Sequence, residues 1–405
     1  MLLITTLAIL LTSIDRQILP TVLPAIMKDF HLDSVQAGWL NSLNFIGSFV
    51  GAIIFGAIAD ALGKGYRRAT SWMITALLTV ISGIATFFTK SIGALQFWRV
   101  IMGIGTGAME PVNVALVSEF WQKEDRGFAV GVHHTGFPFG QFLGPVLMGA
   151  ILAVADWRAT FLWIPAIGIV IIVLQYIIGT RRNQERVYQW IEDHHLTLPV
   201  DKDDKERSTN PLTHVKVALS NRNVLLSIIM IFLFLWAEQG VATFMTLHLT
   251  SRVGLPLAVA AVISGASGIT GWIGQVFWGT VSDHMGRKFS LGIIAVGWTL
   301  SVLACIFINS ATLAWIILIG WGLFRNSPYP VTYALLIDSV PEAAGSGMGL
   351  MIGIALGLSG FLVAPVSGYF IQHFGWTWDY IMLAFACILT FIPMAFIRET
   401  NKRTA

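Results

Sequence analysis

Charged residues are scarce in this chain of 405 residues. Asp, Glu, Lys and Arg together make up 12% of the sequence, against about 25% in an ordinary soluble domain. Cysteine is scarcer still, and both Cys305 and Cys387 fall inside apolar stretches, so neither a disulfide framework nor a metal site is predicted. The sequence also lacks a glycine-rich phosphate loop, a nucleophile constellation and a dense basic cluster. These absences argue against direct ATP drive, an enzyme and a nucleic-acid partner, and no cofactor is expected.

What the chain has instead is twelve long apolar segments. A helix that crosses a bilayer needs about 20 apolar residues, and each segment approaches or exceeds that length. The first segment continues past Arg16 without a small-residue cleavage site, so we interpret it as a retained helix. The pattern predicts an all-α membrane protein whose segments 1 to 12 cover residues 2–27, 35–60, 70–89, 93–119, 127–154, 158–179, 223–250, 255–282, 289–309, 311–338, 345–372 and 376–397.

The basic residues of the connecting loops predict the orientation. The even-numbered connections and the C-terminus contain eighteen Lys and Arg residues, whereas the odd-numbered connections contain four. Because loops rich in Lys and Arg stay in the cytoplasm, both termini are predicted to be cytoplasmic. The longest connection, about 180–222, is expected to be a solvated cytoplasmic linker, with a short surface helix over Arg186–His195.

The chain also contains an internal repeat. Three pairs of segments match at an offset near 220 residues, namely Gly56–Lys64 with Gly279–Arg287, Gly144–Pro145 with Ala364–Pro365, and Trp157–Phe161 with Trp376–Tyr380. Six helices followed by six in the same orientation is the parallel-repeat arrangement of one class of transporter. We therefore predict an N-terminal six-helix bundle over residues 1–180, a linker over 181–222 and a C-terminal six-helix bundle over 223–405.

The ionisable residues inside the membrane follow the repeat. Segments 1, 4, 7 and 10 carry charge near their midpoints, while the other eight segments have none in their interiors. A charge in hydrocarbon is costly, so it normally faces a water-filled path or an ionic partner. The pattern predicts a polar pathway through the protein, formed by Asp15, Arg16, Arg99, Glu110, Glu238 and Arg325.

Several motifs carry a resemblance to a known family. The pattern Gly-x-x-x-Asp-x-x-Gly-basic-basic is met by Gly279–Lys288 and, more loosely, by Gly56–Arg68. Segment 4 contains Arg-x-x-x-Gly-x-Gly from Arg99 to Gly105, and segment 5 contains Gly140-x-x-x-Gly144-Pro145. With these motifs the chain resembles a major facilitator superfamily transporter over essentially its whole length. The resemblance implies two pseudo-symmetric six-helix bundles, with segments 1, 4, 7 and 10 lining a central cavity that opens to alternate sides.

A narrower resemblance rests on segment 1. Asp15-Arg16, followed by Leu19-Pro20 and Leu23-Pro24, is similar to the anion:cation symporter and spinster-like branches. In those branches the pair acts with a segment 4 glutamate in proton coupling and anion binding. The chain departs from their pattern, because the glutamate usually lies at the position of Thr106, whereas here it is Glu110. That spacing is also similar to aromatic-acid and sugar porters.

These features predict proton-coupled symport of a small organic anion, a carboxylate or a sugar acid. Arginine presents a planar fork of donors that suits a carboxylate, so Arg16 and Arg325 are predicted to bind the substrate. Further candidates for substrate binding are Trp236, Gln239, Asn326, Tyr329 and Tyr333. A buried carboxylate or a histidine pair can exchange protons near neutral pH, so the predicted proton carriers are Asp15, Glu110, Glu238, His133 and His134.

A further set of charges lies near the cytoplasmic ends of the segments. Asp60 is expected to pair with Arg126 or with a basic residue of the loop, and Glu119 is another candidate partner. Asp283 and Arg287 occupy the corresponding loop of the second half. Since a rocking transporter needs contacts that exist in one state only, we predict that these residues act in gating.

Other interpretations remain open. Each intramembrane charge can instead form a structural ion pair, and each aromatic side chain or histidine can simply pack. An exporter of hydrophobic cations would use Asp15, Glu110 or Glu238 and leave the arginines structural. A carrier of a neutral sugar is a third possibility, and a non-transporting receptor would need a large extramembrane region. We expect a monomeric protein of the bacterial inner membrane.

Overall fold

The computed structural model describes residues 1–122, 124, 126–199, 211–340 and 344–400. Within that part the chain is helical and contains no strand, and one short 3₁₀ helix covers Cys305–Phe307. The α-helices in chain order are α1 Leu2–Phe30, α2 Ser34–Leu62, α3 Tyr66–Phe87, α4 Ile92–Phe120, α5 Arg126–Leu152, α6 Arg158–Ile178, α7 Arg181–Asp193, α8 Pro211–Ser220, α9 Arg222–Ser251, α10 Leu257–Ser264, α11 Ser267–Met285, α12 Arg287–Ala304, α13 Ala311–Arg325, α14 Pro328–Ser339, α15 Ala344–Phe374, α16 Trp376–Leu389 and α17 Phe391–Phe396.

The long apolar runs become helices because a helix bonds its own backbone polar groups, as a lipid environment requires. Polar residues mark where several helices begin. The hydroxyl of Ser91 accepts the N–H of Ala94 at the start of α4, and Ser310 accepts the N–H of Leu313 at the start of α13. Gly286 separates α11 from α12 at φ 97°, a backbone conformation that glycine adopts without strain.

Eleven helices in the described part are long and apolar enough to span a membrane. The tenth predicted segment is not among them, because α13 and α14 meet at a break over Asn326–Ser327. Pro328 opens α14, where its missing N–H leaves no unmade helical bond. Two bonds support the break: Trp298 Nε1 donates to the carbonyl of Phe324 at 2.6 Å, and Ser327 Oγ donates to that of Leu323 at 2.9 Å.

The chain forms two compact units. The first contains residues 1–18, 43–144 and 155–208. Within it, α3 packs on α4 and α6. A Cβ atom at Gly105 would lie 2.2 Å from Thr79 Oγ1 and 2.9 Å from the carbonyl of Thr75, so this glycine permits the close approach of α4 to α3. The motif glycine therefore acts in helix packing.

The second unit contains residues 19–42, 145–154 and 209–405. Here α9 packs on α15 and α16, and the first turns of α2 pack on α9 and α15. Asn41 donates to Thr243 Oγ1 at 3.0 Å, and a Cβ atom at Gly38 would lie 2.3 Å from the carbonyl of Ala364. The division of the sequence into bundles at 180 and 222 rests on the internal repeat and stays a prediction.

Helix α7 is docked on the first unit. It starts at Arg181, five residues before the predicted surface helix, because Thr180 caps its first turn. Gln184 Oε1 accepts the N–H of Tyr66, and the Tyr188 hydroxyl donates to the carbonyl of Glu119 at 3.0 Å. Burial raises the pKa of Tyr188, so its hydroxyl remains a donor at neutral pH. The first part of the linker is thus a structured element.

Candidate substrate and proton site

The adjacent residues Asp15 and Arg16 on α1 face different surroundings. Successive residues of a helix point about 100° apart, and here the two side chains reach different partners on α4. Arg16 Nη2 lies 3.3 Å from Glu110 Oε2. Asp15 is 2% exposed and interacts electrostatically with Arg99, which is also buried. The first unit thus holds one ion pair, Arg16 with Glu110, and two buried charges, Asp15 and Arg99, that act on each other without an ion-pair contact among the described residues.

The pair of Arg16 and Glu110 is the more accessible one. The side chains are 13% and 21% exposed, and a single long hydrogen bond joins them. The guanidinium also lies 5.8 Å from the centre of the Phe137 ring on α5. Glu110 interacts electrostatically with His134 on the same helix as Phe137. A carboxylate that enters here can reach the arginine fork and displace only one contact.

The pair of Asp15 and Arg99 is enclosed. Asp15 lines a cavity of about 10 Å³ together with Trp72, Thr79 and Met109, close to the smallest volume that accommodates one water. Asp15 Oδ1 and Trp72 Nε1 have no hydrogen-bond partner within the part of the chain that is described. Arg99 Nη1 contacts the sulfur of Met102 at 3.4 Å, and its Nε has no hydrogen-bond partner among the described residues. This site suits a proton or a water, and it is too small for an organic substrate.

The remaining predicted proton carriers, His133 and His134, lie in the first turns of α5. The rings of His133 and His134 are 5.3 Å apart, and His133 is completely buried with neither ring nitrogen hydrogen-bonded among the described residues. Asn113 Nδ2 lies 3.5 Å from the carbonyl of Thr5, beside His133. The structure therefore places the two histidine rings in contact with each other, with His133 in a buried polar region near Thr5 and Asn113.

The second unit holds a closed cluster around Arg325. Its Nε donates to Glu238 Oε1 at 3.0 Å, its Nη1 donates to Ser267 at 2.8 Å, and it stacks on the ring of Trp321 at 4.8 Å. The Tyr329 hydroxyl donates to the other oxygen of Glu238 at 2.8 Å. The two charged side chains are 4% and 3% exposed. Arg325 can bind a substrate only after it gives up part of this network.

The other predicted substrate-binding residues of the second unit lie in different surroundings. Trp236 points its Nε1 to the sulfur of Met382 at 3.2 Å and packs beside Phe232, as a side chain between helices does. Gln239 and Tyr333 are half-buried, whereas Asn326 is completely buried in the break between α13 and α14. Tyr329 belongs to the charged cluster, because it lies one turn beyond Arg325 and donates to Glu238.

The predicted gating residues are held by local contacts. Glu119 pairs with Arg68 at 2.8 Å, and its other oxygen accepts the N–H of Gly65. Arg287 pairs with Asp283 and lies 3.5 Å from Asp338. In each unit a carboxylate accepts backbone N–H groups at the start of the helix that follows the signature loop. Glu119 accepts the N–H of Gly65 before α3, and Glu399 accepts those of Arg287 and Lys288 at the start of α12. The side chains of Asp60 and Arg126 lie outside the described residues.

Some polar residues of these sites were not predicted from the sequence. Arg68 was counted only as a loop charge, although it is the partner of Glu119. Ser267 looked like an ordinary helix residue, and Asp379 lies in the first turn of α16, where a charge suggests a helix end. The available signal for Asp379 was that it is the only Asp, Glu, Lys or Arg of segment 12.

The comparisons with known proteins identify the family of the chain. The family description of the Major Facilitator Superfamily matches residues 5–351, and again residues 228–405. The chain belongs to the Major Facilitator Superfamily. It is therefore an integral membrane transporter with two six-helix bundles, and not an enzyme, as the motifs predicted. The two overlapping matches are what an internal repeat produces.

Several relatives align with this superfamily member over nearly its whole length. The benzoate transport protein of Acinetobacter baylyi is 22% identical, over 98% of this chain and 88% of the relative. The cis,cis-muconate transport protein of the same organism is 24% identical, over 97% and 92%. The hexuronate transporter of Bacillus subtilis is 22% identical, over 95% and 90%. The fold matches the crystal structure of a D-xylose-proton symporter with a TM-score of 0.78 at 19% identity, over 99% and 98% of the two chains.

Proposed function

We propose that this transporter carries a small organic anion, a carboxylate or a sugar acid, together with a proton. The observation that carries the proposal is the accessible pair of Arg16 and Glu110, joined by one hydrogen bond of 3.3 Å. The arginine presents donors in the geometry of a carboxylate, and Phe137 offers an apolar surface beside it. The relatives named for benzoate, cis,cis-muconate and hexuronate all carry compounds with carboxylate groups.

The coupling follows from competition for one arginine. While Glu110 is ionised it holds Arg16, and a substrate carboxylate must compete with it. When Glu110 takes up a proton, its negative charge disappears and the guanidinium becomes available to the substrate. Release of the proton restores the pair and expels the anion. His134 acts electrostatically on Glu110, so it is the second titratable group assigned to the proton path.

The buried pair gives a second place for a proton. Protonation of Asp15 would leave Arg99 without its counter-charge, and a change of helix packing would have to compensate. We assign Asp15 and Arg99 to this linked change, and Arg16 and Glu110 to substrate binding. Glu238 and Arg325 act as substrate groups in this scheme only if Tyr329 and Ser267 release them.

The predicted topology completes the proposal. The excess of Lys and Arg in even-numbered loops supports cytoplasmic termini in a bacterial inner membrane. The linker with α7 and α8 would then face the cytoplasm between the bundles 1–180 and 223–405. A monomer is sufficient for this mechanism, because both charge pairs of the first unit come from one chain.

The deciding experiment is uptake of labelled benzoate, cis,cis-muconate and glucuronate into proteoliposomes under an inward proton gradient. Glu110→Gln removes the titratable group and keeps the shape, so it should abolish proton-driven uptake while counterflow exchange continues. Arg182→Ala, which removes an exposed arginine of α7, is the matched control and should leave both activities intact.

Two results would contradict the symport proposal. Loss of counterflow as well as uptake in a folded Glu110→Gln protein would assign the glutamate a structural role. Proton-driven extrusion of a cationic dye, lost in Asp15→Asn and unaffected in Arg16→Ala, would instead establish export of hydrophobic cations.

A further inference from the structure

An apolar groove lies on the surface of the second unit, where α11 ends and α12 packs beside α17. Its volume is about 620 Å³. The end of α11 and the first half of α12 contribute Met285, Phe289 and Val296 to its lining, and α17 contributes Phe391 and Met394. None of the roles assigned above uses this surface.

The groove lies on the face of α12 that is turned away from the bundle. Leu291 and Trp298 are completely buried on the inner face of this helix. Phe289, Val296 and Leu300 are 52%, 48% and 62% exposed, and the period of 3.6 residues puts them together on the opposite face. A spanning helix that is apolar on both faces contacts the bundle with one and the hydrocarbon of the bilayer with the other. The groove therefore opens to lipid.

A glycine keeps the floor of the groove open. A Cβ atom at Gly292 would lie 3.8 Å from the sulfur of Met394 and 3.9 Å from Cε1 of Phe391, which are ordinary contact distances. At Gly297 of the same helix a Cβ atom would instead lie 2.4 Å from the ring of Phe324. Helix packing thus requires the glycine at 297 and not at 292, although glycine weakens a helix interior. The absence of a side chain at Gly292 provides space between α12 and α17.

An ammonium group lies at one end of the groove. Lys288 Nζ donates to the carbonyls of Ala395 and Ile397 at 3.0 and 3.3 Å. An ammonium has three donors, so a third can reach an acceptor outside the protein. Glu399 also lines the groove, but its two carboxylate oxygens accept the backbone N–H groups of Arg287 and Lys288. The carboxylate is thus engaged at the start of α12, and the ammonium is the charge that suits an anion.

The occupant that fits this surface is apolar along the groove and anionic at its end. The predicted topology places Gly286, two residues before Lys288, at the cytoplasmic surface. The phosphates of the cytoplasmic leaflet lie at that depth, and their acyl chains run from there into the bilayer. Basic groups between membrane helices on this side suit lipid phosphates.

We propose that the groove binds one phospholipid of the cytoplasmic leaflet, with its phosphate on Lys288 and one acyl chain along Gly292. The bound chain fills the space between α12 and α17 and stabilises their contact by mass action. The site is separate from both arginine–glutamate pairs, so the proposal does not depend on which substrate or ion is transported.

The first test counts bound lipids by native mass spectrometry of the protein released from detergent, titrated with dioleoyl phosphatidylglycerol. The wild type should retain one lipid at concentrations where further copies are lost. Gly292→Leu fills the groove and should lose that lipid. The matched control is Gly320→Leu, which adds the same side chain to α13 at a position with open space around it, and it should retain the lipid.

The second test addresses the phosphate. Lys288→Gln should bind phosphatidylglycerol about tenfold more weakly, because a hydrogen bond to a charged group is lost, and Lys288→Arg should bind it normally. Lys216→Gln, which removes an exposed ammonium of α8, is the control and should bind as the wild type does. Diolein has the same chains without the phosphate, so its binding to the wild type should be weaker by a similar factor.

Three outcomes would overturn the proposal. Retention of the lipid by folded Gly292→Leu places it elsewhere on the surface. Equal losses in a variant and its control show that the lipid has no defined site. Equal binding of diolein and phosphatidylglycerol to the wild type shows that no phosphate is recognised. If Gly292→Leu does not fold, the Lys288 variants and the two lipids still decide.

Discussion

The two arginine–glutamate pairs of this transporter lie in similar positions along the repeat but differ in how completely they are satisfied. Arg325 and Glu238 are almost fully buried, and both are held by further partners, Ser267 and Tyr329. Arg16 and Glu110 are several times more exposed and share one long bond. An intramembrane charge pair is therefore better judged by its remaining contacts than by its presence. Saturated pairs hold helices together, and a pair with one contact can exchange partners.

The largest expected effect is the loss of stability when the buried pair of Arg325 and Glu238 is broken. Glu238→Ala would leave Arg325 buried without its counter-charge, which costs about 3–5 kcal/mol. We expect a much lower thermal midpoint in a detergent-solubilised melting assay. Glu110→Ala, which frees an accessible arginine, should cost about 1 kcal/mol. Equal losses in the two variants would remove the distinction between the pairs.

The more exposed pair of Arg16 and Glu110 is expected to behave in the opposite way, with a large effect on transport and a small effect on stability. Arg16→Ala should lower uptake of a bound carboxylate about 100-fold, because one charge-assisted contact contributes roughly 2–3 kcal/mol. The melting temperature should change little. Arg16→Lys keeps the charge but not the fork, so it should recover only part of the uptake. Full activity of Arg16→Ala would move the substrate site elsewhere.

A smaller effect is expected on the two buried charges of the first unit, Asp15 and Arg99. Asp15 and Arg99 are both buried, so Asp15→Ala should destabilise the protein more than the double variant Asp15→Ala with Arg99→Met. A double-mutant cycle on thermal unfolding should give a coupling free energy of about 1–3 kcal/mol. A coupling near zero would show that the two charges do not depend on each other.

The smallest effect concerns the linker. Tyr188→Phe removes two hydrogen bonds, the one donated to the carbonyl of Glu119 and the one accepted from Gln184, and should cost about 1–2 kcal/mol. Hydrogen exchange should become faster over Arg181–Asp193 and remain unchanged in the membrane helices. Tyr176→Phe alters a well-exposed tyrosine and serves as the control. An unchanged exchange rate over α7 would show that apolar packing alone holds the helix.

The sequence predicted those structural features whose signal lies within a single segment. The apolar runs predicted the helices, because a membrane helix satisfies its backbone within itself. The motif glycines identified close helix packing, as Gly105 shows against Thr75 and Thr79.

The remaining features depend on partners that are distant in sequence. The break at Asn326–Ser327 is stabilised by Trp298 from another helix. Nothing in the local sequence distinguishes Arg68 from the other loop cations as the partner of Glu119. Such pairings come from tertiary packing, so only the structure could identify them.

The docking of α7 has a consequence for the order of assembly. Its hydrogen-bond partners Tyr66 and Glu119 both precede it in the chain. During synthesis these residues leave the ribosome first, so the helix can attach to the start of α3 and the end of α4 before any later segment is made. The linker can thereby mark the completion of the first half and hold the nascent chain in place while translation of the second half begins.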